Sequence, residues 1–305
     1  MANMPLFSRL ATHLDTCCAQ SRMKKVLSGF PGHSRDDIRF FKGRSAQYRY
    51  RERGQGTPIV FVADPPVTLE FYDELLDRYA SHFRVIIFEI PAMGFTVPRF
   101  GLDFTFPSIN DSIIEFLECV VGPSAILAFS CVAGLGAVDI ANRRPDLVSR
   151  LVLIQTPSWA EEIQWKKTRD PKKILAKPFI GQIVMNFLKK NRAPAWFSLV
   201  LGNKDYYQPF SAMAQQTIAE GAGWALASAF QRYLPDDGPD LPLIKQPFLC
   251  LWGDLDGSHL QTDKQSSLSF GPKGNIVRYH DLGHFPELES VDRIYGDISH
   301  FITGG

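Results

Sequence analysis

One stretch constrains the fold more than any other. Ala125–Phe129 is an apolar run of strand length. Leu135, Val138 and Ala141 then recur at helical spacing, with Arg143 and Arg144 in the last turn and Pro145 as the stop. Only Ser130-Cys131-Val132-Ala133-Gly134 separates the two patterns, so the chain must reverse sharply near residue 131. A side chain at such a corner projects from a sheet edge beside a helix N-terminus, which favours negative charge. Helix and strand approach closely just past the corner, where small residues are needed. Ala133 and Gly134 supply them when Cys131 stands at the tip. With Ser130 at the tip, Val132 falls where a small residue belongs.

The flanking chain repeats the alternation. Ile38–Lys42, Ala46–Glu52, Pro58–Val62, Arg84–Phe88 and Val148–Ile154 read as strands, while Leu69–His82 and Pro107–Val121 have helical periodicity. Short apolar runs alternating with helices predict an α/β fold, a mostly parallel sheet of about eight strands covered on both faces. From residue 158 to 242 strands give way to apolar and aromatic residues at helical spacing, such as Ile180, Ile183, Val184 and Phe187. Pattern then returns with strands at Phe248–Trp252 and Ile276–Tyr279, a helix near Gln261–Leu268 and a last one from Phe285 to about Ile302. The expected division is an N-terminal helical extension and linker over 1–35, a core over 36–157, a helical cap over 158–242 and the rest of the core over 243–305. The linker is closed by Gly29-Phe30-Pro31-Gly32. Leu6, Leu10 and Leu14 line one face of the first helix and are expected to dock on this protein.

Composition excludes several roles. A net charge of +1 gives no global argument for nucleic acid. The five cysteines include no CxxC pair and no Cys/His spacing suited to zinc, so neither a metal nor a cofactor is expected. No apolar run reaches the roughly 18–20 residues of a membrane span, and the N-terminus lacks a signal-peptide core, which makes a cytoplasmic setting the expectation.

A thiol at the corner needs a base, and the base needs an orienting group. Two loops past late strands offer them: Asp256 in Trp252-Gly253-Asp254-Leu255-Asp256, and His284 in Gly283-His284-Phe285-Pro286. Asp254, His259 and His280 are their competitors. With these motifs the chain resembles the α/β-hydrolase family. That family carries a small-x-nucleophile-x-small corner, Trp-Gly-x-x-Asp and Gly-His-Phe-Pro in this order, with an acidic residue, here Glu289, after the histidine. Aligned on Cys131, the family's Gly, Ala and Pro fall on Gly134, Ala137 and Pro145. Two departures stand out: Cys replaces the usual Ser, as in dienelactone hydrolases, and Phe129 stands where the family prefers Gly.

The resemblance implies a helical lid after the sixth strand and a Cys131–His284–Asp256 triad that cleaves an ester or thioester through an S-acyl intermediate. It also implies an oxyanion hole made by the Val132 N–H and a second N–H from the loop after Pro58–Val62. That loop reads Ala63-Asp64-Pro65-Pro66-Val67 instead of His-Gly; the prolines have no N–H, so the second donor is expected to be Val67 or a side chain. Asp64, Phe129 and Trp159 are expected at the substrate. Between Glu161 and Arg192 nine Lys/Arg face three acids, a surface suited to an acyl carrier protein or the phosphates of coenzyme A. Two further readings are a biosynthetic acyltransferase or cyclase that passes the acyl group to an amine or alcohol, and a non-catalytic binding protein, which the Asp64-Pro65-Pro66 loop favours.

Overall fold

The computed structural model describes residues 6–26 and 35–304; the turn expected at 29–32 lies outside them. Strands β1 (Ile38–Lys42), β2 (Ala46–Arg53), β3 (Pro58–Ala63), β4 (Arg84–Glu89), β5 (Val97–Pro98), β6 (Ala125–Ser130), β7 (Val148–Ile154), β8 (Phe248–Gly253) and β9 (Gly274–Tyr279) form one sheet. Its order is β1-β2-β4-β3-β6-β7-β8-β9, with the two-residue β5 paired to β2. The pairs from β4 to β9 are parallel and those of β1, β2 and β5 are antiparallel. Helices α1 (Leu6–Val26), α2 (Asp73–Tyr79), α3 (Phe106–Phe116), α4 (Cys131–Arg143), α9 (Pro286–Glu289) and α10 (Val291–Thr303) accompany the strands. Between β7 and β8 come α5 (Trp159–Arg169), α6 (Ile180–Val200), α7 (Tyr207–Glu220) and α8 (Leu226–Arg232). Buried side chains form one large cluster on each side of the sheet, because βαβ crossovers place helices on both faces.

Period-two alternation in β2 shows how the sheet edge reaches the functional region. Tyr48 and Tyr50 point one way and pack on Phe116, the Tyr48 ring at 4.8 Å. Arg49 and Arg51 point the other way and are equally buried, a position tolerable only with acidic partners. Arg49 donates to Glu89 at 3.0 Å and pairs with Glu70. Glu89 in turn accepts from the backbone N–H of Leu69 and of Phe95. This buried pair therefore fixes the two segments that follow β3 and β4, the first of which carries the Asp64 loop.

One expectation fails and another is met only as a tighter, shifted helix, each for local reasons. Leu6, Leu10 and Leu14 are 67%, 46% and 53% exposed; α1 instead buries Ala11, Thr12, Asp15, Thr16 and Ala19, and Asp15 accepts from Ser228 of α8 at 2.7 Å. The helix expected near Gln261–Leu268 is a short run of tight turns over Lys264–Phe270, begun where the Asp263 side chain accepts from the Gln265 N–H. Among the described residues no helix is long and apolar enough to cross a membrane. An Arg49→Met variant should lose about 3–5 kcal/mol of stability, since it strands Glu89 and Glu70 without a cation. Urea denaturation compared with the parent protein measures this.

Candidate active site

Ser130 ends β6 in extended backbone, and Cys131 turns the chain with φ at +52° before α4 begins. Cys131, not Ser130, is thus the residue at the corner. A non-glycine residue in the left-handed region costs about 1–2 kcal/mol, so its surroundings must hold it there. Thr156, just past β7, donates from its hydroxyl to the Cys131 carbonyl at 3.2 Å. Gly134 packs so tightly on that threonine that an added Cβ would lie 2.0 Å from Oγ1. The small residue is required by this contact.

His284 arrives from the loop after β9. Its backbone N–H donates to Val200 of α6, and the preceding Gly283 N–H donates to Glu289, which also accepts from Gly202 and Asn203. Nδ1 lies 2.5 Å from Asp256 Oδ2. Asp256, after β8, further accepts from Gln155 at 2.9 Å and from the Ser258 N–H and hydroxyl. Burial alone would raise the Asp256 carboxyl, but the His284 charge and hydrogen bond, with His259 and Ser258, hold it below the usual carboxylate range. Two of the competitors sit apart: Asp254 and His280 contact each other, and His280 is exposed.

The other ring nitrogen, Nε2, lies 3.0 Å from Asp64 Oδ2. Cys131 Sγ, Asp64 and His284 present their polar atoms within 4.8 Å of one another. Burial would lower His284, yet its two carboxylates, Asp256 first, raise it well above the usual histidine range. Burial raises Asp64 despite the His284 hydrogen bond. Both shifts favour the protonated forms, and the two atoms face each other at hydrogen-bond distance. Burial raises the Cys131 thiol well above its ordinary value, and the charges of Glu162 and Asp64 add to this while His284 opposes it. The resting sulfur is therefore a thiol.

Glu162 of α5 was read in the sequence only as one acid in a basic segment. It is fully buried, and Cys131 Sγ lies 3.7 Å from its Oε1. Ser158 caps α5 and occupies Glu161, the usual capping-box signal, so nothing local marked the next residue. Burial pushes the Glu162 carboxyl up to about 8. His259, named as an alternative base, stacks on His284 at 5.6 Å and on Trp165 at 5.7 Å, and burial lowers it to about 3. Trp196 of α6 meets His284 edge-on at 5.9 Å.

Two of the expected positions differ. The Val67 N–H donates to the Asp64 carbonyl at 2.9 Å and is already spent in that turn, whereas Val132 lies in the first turn of α4, where N–H groups lack intrahelical acceptors. Phe129 is fully buried in β6 against Phe88 at 5.5 Å, part of the core and not of the substrate space. Trp159 sets its ring against Phe106 at 4.9 Å. Asp64 is an expected substrate residue that the fold brings within 4.8 Å of the thiol. Cys131, Glu162 and His259 also present donor atoms within 4.8 Å, the kind of set a soft divalent ion accepts.

No family model matches the chain. A pimeloyl-[acyl-carrier protein] methyl ester esterase of Hamiltonella defensa subsp. Acyrthosiphon pisum is 29% identical over 230 residues, covering 74% of this chain and 85% of that protein. An epoxide hydrolase of Bacillus megaterium superimposes with a TM-score of 0.68 at 14% identity, over 87% of this chain and 100% of that one. A thermophilic esterase of Thermogutta terrifontis gives 0.68 at 15% identity, over 88% and 98%. These neighbours are α/β-hydrolase-fold proteins, and the chain has that fold.

Asp64→Asn should shift the His284 titration to lower pH, because removing a carboxylate removes part of what stabilises the imidazolium. The same change should speed alkylation of Cys131, whose thiolate no longer meets the Asp64 charge. Ring-nitrogen NMR and residue-resolved mass spectrometry of iodoacetamide labelling read the two effects.

Proposed function

We propose that the chain cleaves an ester or thioester through Cys131 as nucleophile, His284 as proton carrier and Asp256 as the carboxylate that orients the ring. The left-handed corner carries this reading: it places Sγ beside an imidazole whose far nitrogen is bonded to Asp256 at 2.5 Å. The relative from Hamiltonella, named as a methyl ester esterase, supports ester chemistry.

In this reading the Nε2 proton moves to Asp64 when substrate enters, which leaves a neutral imidazole. His284 then takes the thiol proton as Sγ bonds to the carbonyl carbon, and the carbonyl electron pair moves onto oxygen. Collapse breaks the bond to the leaving alcohol or thiol, which receives the proton from His284. Water, deprotonated by the same ring, then bonds to the acyl carbon; the C–S bond breaks, the acid leaves and Sγ takes the proton back from His284. Asp256 stays ionised throughout and stabilises each imidazolium stage.

The acyl group is proposed to arrive on an acidic carrier. Of the nine basic residues between 161 and 192, Lys166 is tied to Asp236 and Lys189 to backbone carbonyls, while Lys167, Lys172, Lys173, Lys177, Lys190 and Arg192 are exposed. The relative's name includes an acyl-carrier-protein substrate, which agrees with this surface. A second reading rests on the Asp64–His284 pair, which ties up the base and suits a non-catalytic binding protein.

Acid-quenched incubation with p-nitrophenyl butyrate should leave a butyryl group on Cys131, and Cys131→Ala should lower kcat/KM by more than about a thousandfold. Full activity in that variant removes Cys131 as the nucleophile, whereas a parent that forms no adduct and turns over no ester favours the second reading.

A further inference from the structure

Resting on the reading of Cys131 as nucleophile, the inference concerns the negative oxygen formed when Sγ attacks a carbonyl. Such an oxygen is usually met by two donors, and loss of one costs about 3–4 kcal/mol of barrier. Here the Val132 N–H can be one. In the loop after β3, Pro65 and Pro66 have no N–H, and the Val67 N–H is spent on the Asp64 carbonyl at 2.9 Å.

Glu162 lies on the other side of the sulfur. Its Oε1 is 3.7 Å from Sγ, its residue is fully buried, and its Oε2 has no hydrogen-bond partner among the described residues. An oxygen on a carbon bonded to Sγ is two bonds from the sulfur. A group 3.7 Å from Sγ is thus placed to approach that oxygen at the roughly 2.7–3.1 Å a donor needs. An unpartnered buried carboxyl oxygen is costly in the resting protein and gains a partner only when such an oxygen appears.

We propose that Glu162 is a catalytic residue of this site: its carboxylic acid O–H donates the second hydrogen bond to the oxyanion on the Cys131 adduct, in place of the backbone N–H that the Asp64-Pro65-Pro66 loop lacks. The bond is a donation, not a transfer; the thiol proton still goes to His284, and Glu162 keeps its own. Burial pushes this carboxyl up to about 8, so it carries the required hydrogen at neutral pH. A carboxylic acid kept uncharged by its surroundings is a known physical solution for stabilising a developing anion.

The test compares the parent with Glu162→Gln and Glu162→Ala, using p-nitrophenyl butyrate across pH and, separately, chloroacetamide labelling of Cys131, a displacement that forms no oxyanion. The parent's kcat/KM should fall on the alkaline side near pH 8 as Glu162 ionises. Glu162→Gln, whose amide donates at every pH, should stay within about tenfold of the parent and lose the alkaline fall. Glu162→Ala should drop about 10²–10³-fold while Cys131 is labelled at least as fast as in the parent. Four results overturn the proposal: parent-like rates in both variants, equal loss in both, a parent profile with no alkaline fall, or labelling that slows in step with kcat/KM. Should Glu162→Ala fail to fold, the Gln profile decides alone. Absence of any butyryl adduct on parent Cys131 refutes the nucleophile assignment instead, so the two failures are distinguishable.

Discussion

A cysteine held in left-handed backbone is the constraint on which the site depends. The strain, about 1–2 kcal/mol, is small beside the packing that enforces it. Register with β7 fixes Ser130 opposite Ile154, which sets Thr156 over the first turn of α4. Thr156 then bonds the Cys131 carbonyl and leaves no room for a side chain at residue 134. The corner is thus determined by the pairing of two central parallel strands. Everything brought to Sγ comes from elements that follow it in the chain, except Asp64.

Electrostatics then decide which groups carry charge. Asp64, Asp256, Glu162 and Glu287 are carboxyls around one imidazolium, with His259 held neutral by burial. Low-dielectric surroundings cannot keep four buried carboxylates ionised against one cation. Asp256, with four hydrogen bonds, takes the charge. Glu162 and Glu287, poorer in partners, are both pushed up to about 8. The result is an ordered set of acids around one thiol, in which hydrogen-bond supply, not residue type, ranks the members.

How much of this the sequence displays follows from how local each constraint is. The corner is legible because the need for small residues at 133 and 134 acts within a few positions. The sheet is legible because buried parallel strands need continuous apolar runs. Phe129 was misplaced because both faces of such a strand are buried, so periodicity cannot say which side a residue serves. Glu162 was hidden because the chemistry it meets comes from α4 while its own neighbours are basic. Val67 was misread because its N–H is consumed by a turn two prolines long, which depends on backbone geometry that composition does not encode. In α1 the leucine stripe suggested docking, but the face that docks is made of small and polar residues matched to Ser228, a pairing invisible within the helix.

The inserted helices link enclosure to acidity. Cys131 is 5% exposed and His284 1%, and the cover includes Glu162 from α5 and Trp196 from α6. Any movement of α5 that admits an acyl group also admits water to Glu162. Water stabilises the carboxylate form, so an open α5 brings the group back toward an ordinary, ionised glutamate. In the enclosed site the same burial that excludes solvent from the thiol pushes the Glu162 carboxyl up to about 8, so enclosure and acidity are set by one arrangement of α5.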